Sequence, residues 1–228
     1  MAKPKFMTVR KRARCVQQLL SEFPPIQPKH EGLINYENLK LAMGLMDLDM
    51  NTMYTVCASY EIAEKIHAGQ KRPSGEDYIT HPIHVTFNLL KYGYLDKECL
   101  ATGMLHDTIE DGGKNGFSVE EIEDFIGSRL GILIGWRPAH RVIRMVEKLS
   151  NNFYGYGKGI DFEVLPVKLC DVLHNLSTLE QVAEIDLLKA IKLRKKYRAL
   201  LMSKKDLAER DYRTRKIWNS AWTYTIEI

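Results

Sequence analysis

The spacing of apolar residues after Asp49 is the feature that most constrains the fold of this chain. The clearest run consists of Tyr54, Ala58, Ile62 and Ile66, which lie four residues apart. Residues at this spacing share one face of an α-helix, and the run predicts a helix that ends near Ala68 and Gly69. The alternation of apolar and polar residues that is typical of strands is nearly absent. The sequence therefore predicts an all-α fold.

Proline, glycine and capping residues divide the rest of the chain into further predicted helices. These cover residues 82–92, 99–111, 118–125, 164–183 and 186 to about 210. Ser118 and Glu121 have the spacing of a capping box, in which each side chain binds the other residue's backbone N–H. Prolines at positions 24, 25 and 28 interrupt any helix begun between residues 13 and 23. We therefore predict an N-terminal extension over residues 1–50, a central domain over 51–185, and a basic helix with an aromatic tail over 186–228.

The overall composition excludes several classes of protein. The 228 residues carry a net charge of +4, and no apolar run is long enough to span a bilayer. The basic N-terminus lacks the apolar core of a signal peptide. The four cysteines are far apart and form no Cys-x-x-Cys pair, which is typical of reduced thiols rather than of disulfides or a thiolate zinc site. We expect a cytoplasmic protein without a membrane anchor, and the mildly basic charge suits an anionic partner.

A histidine and three carboxylates lie together in the short segment 106–111. His106 and Glu110 are four residues apart, as are Asp107 and Asp111, so a helix would place them on adjacent ridges. Converging negative charges require a cation or water to offset their repulsion. The segment is therefore either a solvated acidic helix end or part of a cation site.

Two other segments favour the cation site. Asp171, Asn175 and Thr178 form a polar stripe on a predicted helix, which either faces a ligand or meets water. His81 lies at a predicted helix start, just before Pro82. The candidate metal ligands are His81, His106, Asp107 and Asp171. Mixed nitrogen and oxygen ligands of this kind suit Mn²⁺, Fe²⁺ or Zn²⁺. Glu110 and Asp111, one turn beyond the His-Asp pair, are then expected to orient or deprotonate a water.

These residues carry a resemblance to a known family. The matching runs are Ala68-Gly69-Gln70-Lys71-Arg72, Tyr78-Ile79-Thr80-His81-Pro82, His106-Asp107 with Glu110-Asp111, and Lys168-Leu169 with Asp171, His174-Asn175 and Thr178-Leu179. Over about residues 54–180 they resemble the HD phosphohydrolase superfamily, and in particular the hydrolase domain of RelA/SpoT-type proteins, which degrade the alarmone (p)ppGpp. The resemblance implies an all-α HD-domain helical bundle and a Mn²⁺-dependent loss of the 3′-pyrophosphate, which leaves GDP or GTP.

The resemblance also implies roles for individual residues. It makes His81, His106, Asp107 and Asp171 the metal ligands, and Glu110 and Asp111 the water-activating pair. It implies that Arg72 stacks on or contacts the purine, and that Asn175 and Thr178 contact the nucleoside. Lys148 lies in a similar Val-x-Lys-Leu segment and is either a phosphate contact or a solvated lysine. We interpret His67 and His174 as structural.

Some features depart from the family pattern and keep alternatives open. Pro73 follows Arg72 where a basic residue is common in the family, and the loop at residues 151–159 is unusually rich in Gly and Tyr. The chain resembles a stand-alone small alarmone hydrolase, or a relative that acts on an adenine alarmone, a dNTP or NADPH. A non-catalytic protein that neutralises a partner is a further alternative, and nucleic-acid cleavage is the least favoured. A homo-oligomer is left open.

Overall fold

The computed structural model describes residues 34–150 and 157–226, and these ranges are mostly helical. The helices are α1 (Tyr36–Leu45), α2 (Met50–Ile66), α3 (Thr80–Lys91), α4 (Lys97–Leu105), α5 (Thr108–Asp111), α6 (Val119–Ile134), α7 (Trp136–Leu149), α8 (Leu165–Ser177), α9 (Leu179–Ile185), α10 (Leu187–Ala208) and α11 (Tyr212–Thr223). Within the described ranges no strand forms, and the one extended pairing is an isolated bridge between Lys71 and Asp77. The all-α prediction is confirmed. The predicted interruption near residue 25 and most of the loop at 151–159 lie outside the described residues.

Side-chain caps explain where several of the helices begin. Asp49 accepts a hydrogen bond from the Thr52 backbone at the start of α2, and Asp186 does the same for Lys189 at the start of α10. The predicted capping box at α6 is confirmed, because the Ser118 and Glu121 side chains each bind the other residue's backbone. Caps of this kind satisfy backbone N–H groups that the first turn of a helix leaves without partners.

Two helices that the sequence predicts as continuous are interrupted in the structure. The predicted helix 99–111 divides into α4 and α5, and the predicted helix 164–183 divides into α8 and α9 at Thr178. At the first break, the Thr108 hydroxyl donates to the Leu105 carbonyl at 2.7 Å. At the second, the Thr178 hydroxyl donates to the His174 carbonyl at 3.2 Å. Each hydroxyl thus binds a carbonyl in the last turn of the preceding helix.

The core forms where α3 and α4 cross between the neighbouring helices. α4 packs against α2, α3 and α7, and α3 also packs against α1 and α8. Leu89 and Leu90 of α3 and Leu100 and Met104 of α4 are almost completely buried. Gly103 lets the two helices approach closely, since a Cβ there would lie 2.6 Å from Leu89 Cδ1. This crossing brings the start of α3 near the end of α4.

The C-terminal helices pack against the same core. α8 contacts both α10 and α11, and Ile217 of α11 is completely buried. The Trp218 indole N–H donates to the Leu201 carbonyl of α10 at 2.7 Å. Leu39 and Met43 of α1 are likewise buried against the central helices. The domain boundaries predicted at residues 51 and 185 stay predictions. Among the described helices, none is both long and apolar enough to cross a membrane.

Candidate metal centre and its surroundings

The predicted metal ligands come together from three parts of the fold. His81 is the second residue of α3, His106 and Asp107 form the turn between α4 and α5, and Asp171 lies in α8. His81, His106 and Asp171 are buried, with at most 4% of each residue exposed. The Asp107 side chain is more accessible, at 21%. The cluster therefore has one partly open side, next to Asp107.

The side-chain nitrogen and oxygen atoms of the predicted ligands lie close to one another. The Nε2 atoms of His81 and His106 are 3.2 Å apart. Asp107 Oδ2 lies 3.1 Å from His106 Nε2 and 3.5 Å from His81 Nε2. Asp171 Oδ1 lies 3.2 Å from His81 Nε2 and 3.9 Å from His106 Nε2. Ligand bonds of about 2.1 Å put neighbouring donor atoms about 3.0–3.4 Å apart, and the distances of 3.1–3.2 Å lie in this range. His81, His106 and Asp171 form a group that could hold a metal ion, and the role of Asp107 as a ligand stays a prediction.

Neighbouring groups orient each ligand. His106 Nδ1 donates to the Gly103 carbonyl at 2.9 Å, which directs its Nε2 atom toward the cluster. The Tyr78 hydroxyl donates to Asp107 Oδ2 at 2.7 Å. On Asp171, Lys168 Nζ lies 2.7 Å from Oδ2, and Asn175 donates to Oδ1 at 2.5 Å. Partners of this kind limit the rotation of a ligand side chain and so reduce the cost of ordering it when an ion binds.

The electrostatics of the cluster favour ionised carboxylates. Burial lowers the pKa of His106, but contact with Asp107 and the charge of Asp171 outweigh it and raise the pKa to about 9. Burial and the Arg72 charge lower the pKa of His81 to about 4. Burial acts to raise the pKa of Asp171, but the Lys168 ammonium and His81 hold it below its usual range. Burial also acts to raise the pKa of Asp107, but contact with His106 holds it well below its usual range. Two carboxylates that stay ionised at neutral pH supply the negative charge that a divalent ion needs.

The two residues predicted to activate water lie beside this cluster, on α5. Asp111 is 9% exposed, and its carboxylate pairs with Lys114. The Gln70 side chain donates to the Asp111 carbonyl at 3.2 Å and so fixes the end of α5. Burial raises the pKa of Tyr78, and the charges of Asp107 and Asp111 raise it further. Glu110 is partly exposed on the same short helix. The catalytic roles of Glu110 and Asp111 stay predictions.

Three of the predicted substrate contacts form one hydrogen-bonded group. The Arg72 guanidinium is buried and donates to Asn175 Oδ1 at 3.2 Å and to Thr178 Oγ1 at 3.3 Å. Since Asn175 also binds Asp171, this group adjoins the ligand cluster. Lys148, the fourth predicted substrate contact, instead forms ion pairs with Asp161 and Glu163. Its Nζ lies 2.8 Å from both Asp161 Oδ2 and Glu163 Oε2.

The sequence interpretation assigned no role to several residues that the structure places around the ligands. Tyr78 and Lys168 lie inside the family-like runs, and Lys168 is three residues before Asp171, a spacing that would predict their contact. Lys114 binds Asp111 from three residues further along the chain, whereas Gln70 binds it from a distant segment, and residue spacing gives no signal for the Gln70 contact. His174, which we interpreted as structural, contacts His81.

Comparison with known proteins identifies the class. The family model described as "HD domain" matches residues 59–192, and the chain belongs to that family. HD domains bind divalent metals, in agreement with the His/Asp cluster.

Several full-length relatives extend the comparison. The chain is 32% identical over 160 residues to a guanosine-3′,5′-bis(diphosphate) 3′-pyrophosphohydrolase of Borreliella burgdorferi. The matched region covers 64% of this chain and 23% of that protein. It is 32% identical over 153 residues to a Spiroplasma citri protein of the same name, covering 64% and 20%. It is 34% identical over 137 residues to a GTP pyrophosphokinase of Streptomyces coelicolor, covering 58% and 16%. The chain thus spans less than a quarter of the length of these curated relatives.

Proposed function

We propose that this protein hydrolyses the 3′-pyrophosphate of guanosine alarmones, converting (p)ppGpp to GDP or GTP and pyrophosphate with the help of a divalent metal ion. The observation that supports this most is the junction of two groups: the His/Asp ligand cluster and the Arg72–Asn175–Thr178 group, joined by the contact of Asn175 with Asp171. The names of the Borreliella and Spiroplasma relatives support the substrate class.

In this proposal His81, His106, Asp107 and Asp171 hold the ion, and Mn²⁺ is the ion that we expect. A divalent ion in such a site lowers the pKa of a water and polarises a phosphoryl oxygen. Glu110 and Asp111 orient the attacking water and accept its proton. Lys114 pairs with Asp111 and so helps to hold that carboxylate in place.

Arg72, Asn175 and Thr178 are proposed to recognise the nucleoside. The Arg72 guanidinium is flat, and its contacts with Asn175 and Thr178 hold it in one orientation, so its face is pre-organised to stack on a purine. Asn175 and Thr178 supply amide and hydroxyl groups for the base or ribose. Lys148 is retained as a proposed phosphate contact.

A different nucleotide is the second candidate substrate, and Pro73 is the observation that favours it. In family members a basic residue often follows the arginine, and proline supplies no charge for a phosphate at this position. An adenine alarmone, a dNTP or NADPH would use the same ligand cluster. The proposed setting is the cytoplasm and the stringent response, in which guanosine alarmones accumulate.

The test is a substrate panel with the purified, Mn²⁺-loaded protein. We expect ppGpp to yield GDP and pyrophosphate, with the products identified by chromatography and mass spectrometry, and an excess of EDTA to abolish the reaction. Asp111→Asn should lower kcat by about 10²–10⁴-fold, the range for loss of a general base, while Mn²⁺ still binds. Asp206→Asn, which changes an exposed aspartate of α10, is the matched control. Intact ppGpp alongside cleavage of another nucleotide would contradict the substrate proposal.

A further inference from the structure

His174 lies directly behind the proposed metal ligand His81. The two Nδ1 atoms are 2.7 Å apart, and the rings stack with their centroids 4.9 Å apart. His81 is 1% exposed and His174 is 5% exposed, so water does not compete strongly for this contact. On the opposite edge of its ring, His81 Nε2 faces His106 and Asp171. His81 therefore has one edge toward the ligand cluster and the other toward His174.

The chemistry of imidazole gives this contact a direction when an ion is bound. A ring nitrogen that binds a metal carries no proton, so the proton of neutral His81 must lie on Nδ1 if Nε2 is the ligand. Nδ1–H then donates to His174 Nδ1, which accepts. The other histidine ligand has an equivalent partner, because His106 Nδ1 donates to the Gly103 carbonyl. The Nδ1 atom of each imidazole in the cluster thus has a hydrogen-bond partner. For His106 the partner is a main-chain carbonyl, and for His81 it is the side chain of His174.

A second histidine, His84 of α3, packs against His174. His84 stacks on it with ring centroids 4.3 Å apart and an interplanar angle of 24°. His174 follows Asp171 by three residues in α8, so the two side chains lie on the same side of the helix. One helix therefore supplies a ligand, Asp171, and also the partner of a second ligand, His81.

From this geometry we infer that His174 is a positioning residue that fixes the tautomer and the ring orientation of His81 for metal binding. The inference rests on the proposed function, because it concerns the same ion. This inference gives His174 a role beyond the structural one predicted from the sequence. A residue that only fills space in the core would not need a hydrogen-bond acceptor at Nδ1. Residues that orient a histidine ligand in this way typically contribute about 10–100-fold to metal affinity.

The test compares metal binding in three variants by isothermal titration with Mn²⁺. His174→Phe keeps a flat ring for stacking but removes the acceptor, and we expect the affinity to fall by about 10–100-fold. His174→Asn places an amide oxygen near the position of Nδ1, and it should recover most of that loss. His84→Phe is the matched control, because it alters the stack without touching His81, and it should bind as the wild type does. Thermal unfolding in EDTA checks that each variant is folded.

A second measurement needs no variant. Nitrogen-15 NMR of the Zn²⁺-loaded wild-type protein should show His81 protonated at Nδ1 and bound through Nε2. An unchanged affinity in His174→Phe, or a His81 bound through Nδ1, would overturn the inference while leaving the hydrolase proposal intact. A wild-type protein that binds no divalent ion would instead contradict the proposed function itself.

Discussion

At the scale of single residues, the sequence shows which side chains could be metal ligands better than it shows which residues contact them. Imidazole and carboxylate groups are visible in any sequence, so His81, His106, Asp107 and Asp171 could be proposed before their positions were known. The contact of Tyr78 with Asp107 could not be predicted in the same way, because it depends on distances between separate segments. The chemistry of a side chain follows from its residue type, whereas the residue that it contacts depends on how the helices pack.

The buried thiols provide a first prediction at this scale. Burial raises the pKa of Cys99 to about 12, and burial with the charge of Asp171 raises that of Cys170 well above its usual range. Since only the thiolate reacts, about one Cys99 in ten thousand is reactive at pH 8. We expect iodoacetamide at pH 8 to label partly exposed Cys57 in the native protein and to spare Cys99 and Cys170. Peptide mass mapping checks this, and labelling of all three in urea is the control. Rapid native labelling of Cys170 would contradict the burial of α8.

Lys148 gives a second prediction, on stability and pH. Its ammonium lowers the pKa of Glu163 from the ordinary value of 4.5, so their interaction stabilises the fold above that pH and is lost as the pH falls below it. Lys148→Met should reduce the free energy of unfolding by up to about 1 kcal/mol at pH 7 and by less at pH 4. Urea denaturation measures this, with Lys189→Met, at an exposed position, as the control. A KM that rises in the same variant would support the proposed phosphate contact, and an unchanged KM would contradict it.

At the scale of elements, several helix positions were predicted from the sequence, whereas α7, α11 and the helix interruptions were not. Apolar spacing and the Ser118 capping box predicted α2 and the start of α6 well, because these signals are local, whereas α6 continues to Ile134, beyond the predicted end at residue 125. Residue spacing did not predict the breaks after Leu105 and at Thr178, because the residues on both sides keep helical periodicity. The first break matters for the site, because His106 and Asp107 occupy the turn itself and so approach His81 and each other closely.

The close approach of α3 and α4 depends on Gly103. A Cβ at this position would lie 2.6 Å from Leu89 Cδ1 and 3.3 Å from Thr86 Oγ1, and both of these residues are completely buried. Gly103→Ala should therefore lower the free energy of unfolding by about 1–3 kcal/mol, despite the higher helix propensity of alanine. Because the Gly103 carbonyl also binds His106, the affinity for Mn²⁺ should fall as well.

Gly44→Ala is the matched control for this prediction. Gly44 lies in α1, and an added Cβ there would meet nothing within 4 Å. The substitution should raise the free energy of unfolding by about 0.5–1 kcal/mol, since alanine loses less backbone entropy in a helix. Urea denaturation and Mn²⁺ titration of both variants provide the comparison. Equal effects of the two substitutions would show that Gly103 is not a close-packing position.

At the scale of the whole molecule, the ligand cluster depends on helices that contribute none of its ligands. α8 carries Asp171 and packs against α3, which carries His81, and also against α10 and α11. The C-terminal helix therefore supports one side of the element that supplies Asp171. We expect loss of packing in α11 to affect metal binding as well as stability.

Ile217→Ala tests this coupling. Ile217 is fully buried in α11, so the substitution should lower the free energy of unfolding by about 2–5 kcal/mol and weaken Mn²⁺ binding. Ile132→Ala is the matched control, because Ile132 is 86% exposed and its loss should change stability by less than about 0.5 kcal/mol. The measurements are tryptophan fluorescence in urea and isothermal titration. An Ile217→Ala protein of wild-type stability would contradict the packing of α11 on α8.

By itself the sequence determined the helical character of this protein, several of its helix starts, and the chemical types of its candidate ligands. These depend on local spacing and on side-chain chemistry, both of which are present in the unfolded chain. Only the tertiary structure decided that residues 81, 106 and 171 converge within a few ångströms, that Arg72 joins Asn175 and Thr178, and that His174 lies behind His81. Those contacts join residues 25 to 106 positions apart in the chain, and they form only when buried apolar faces bring separate helices together.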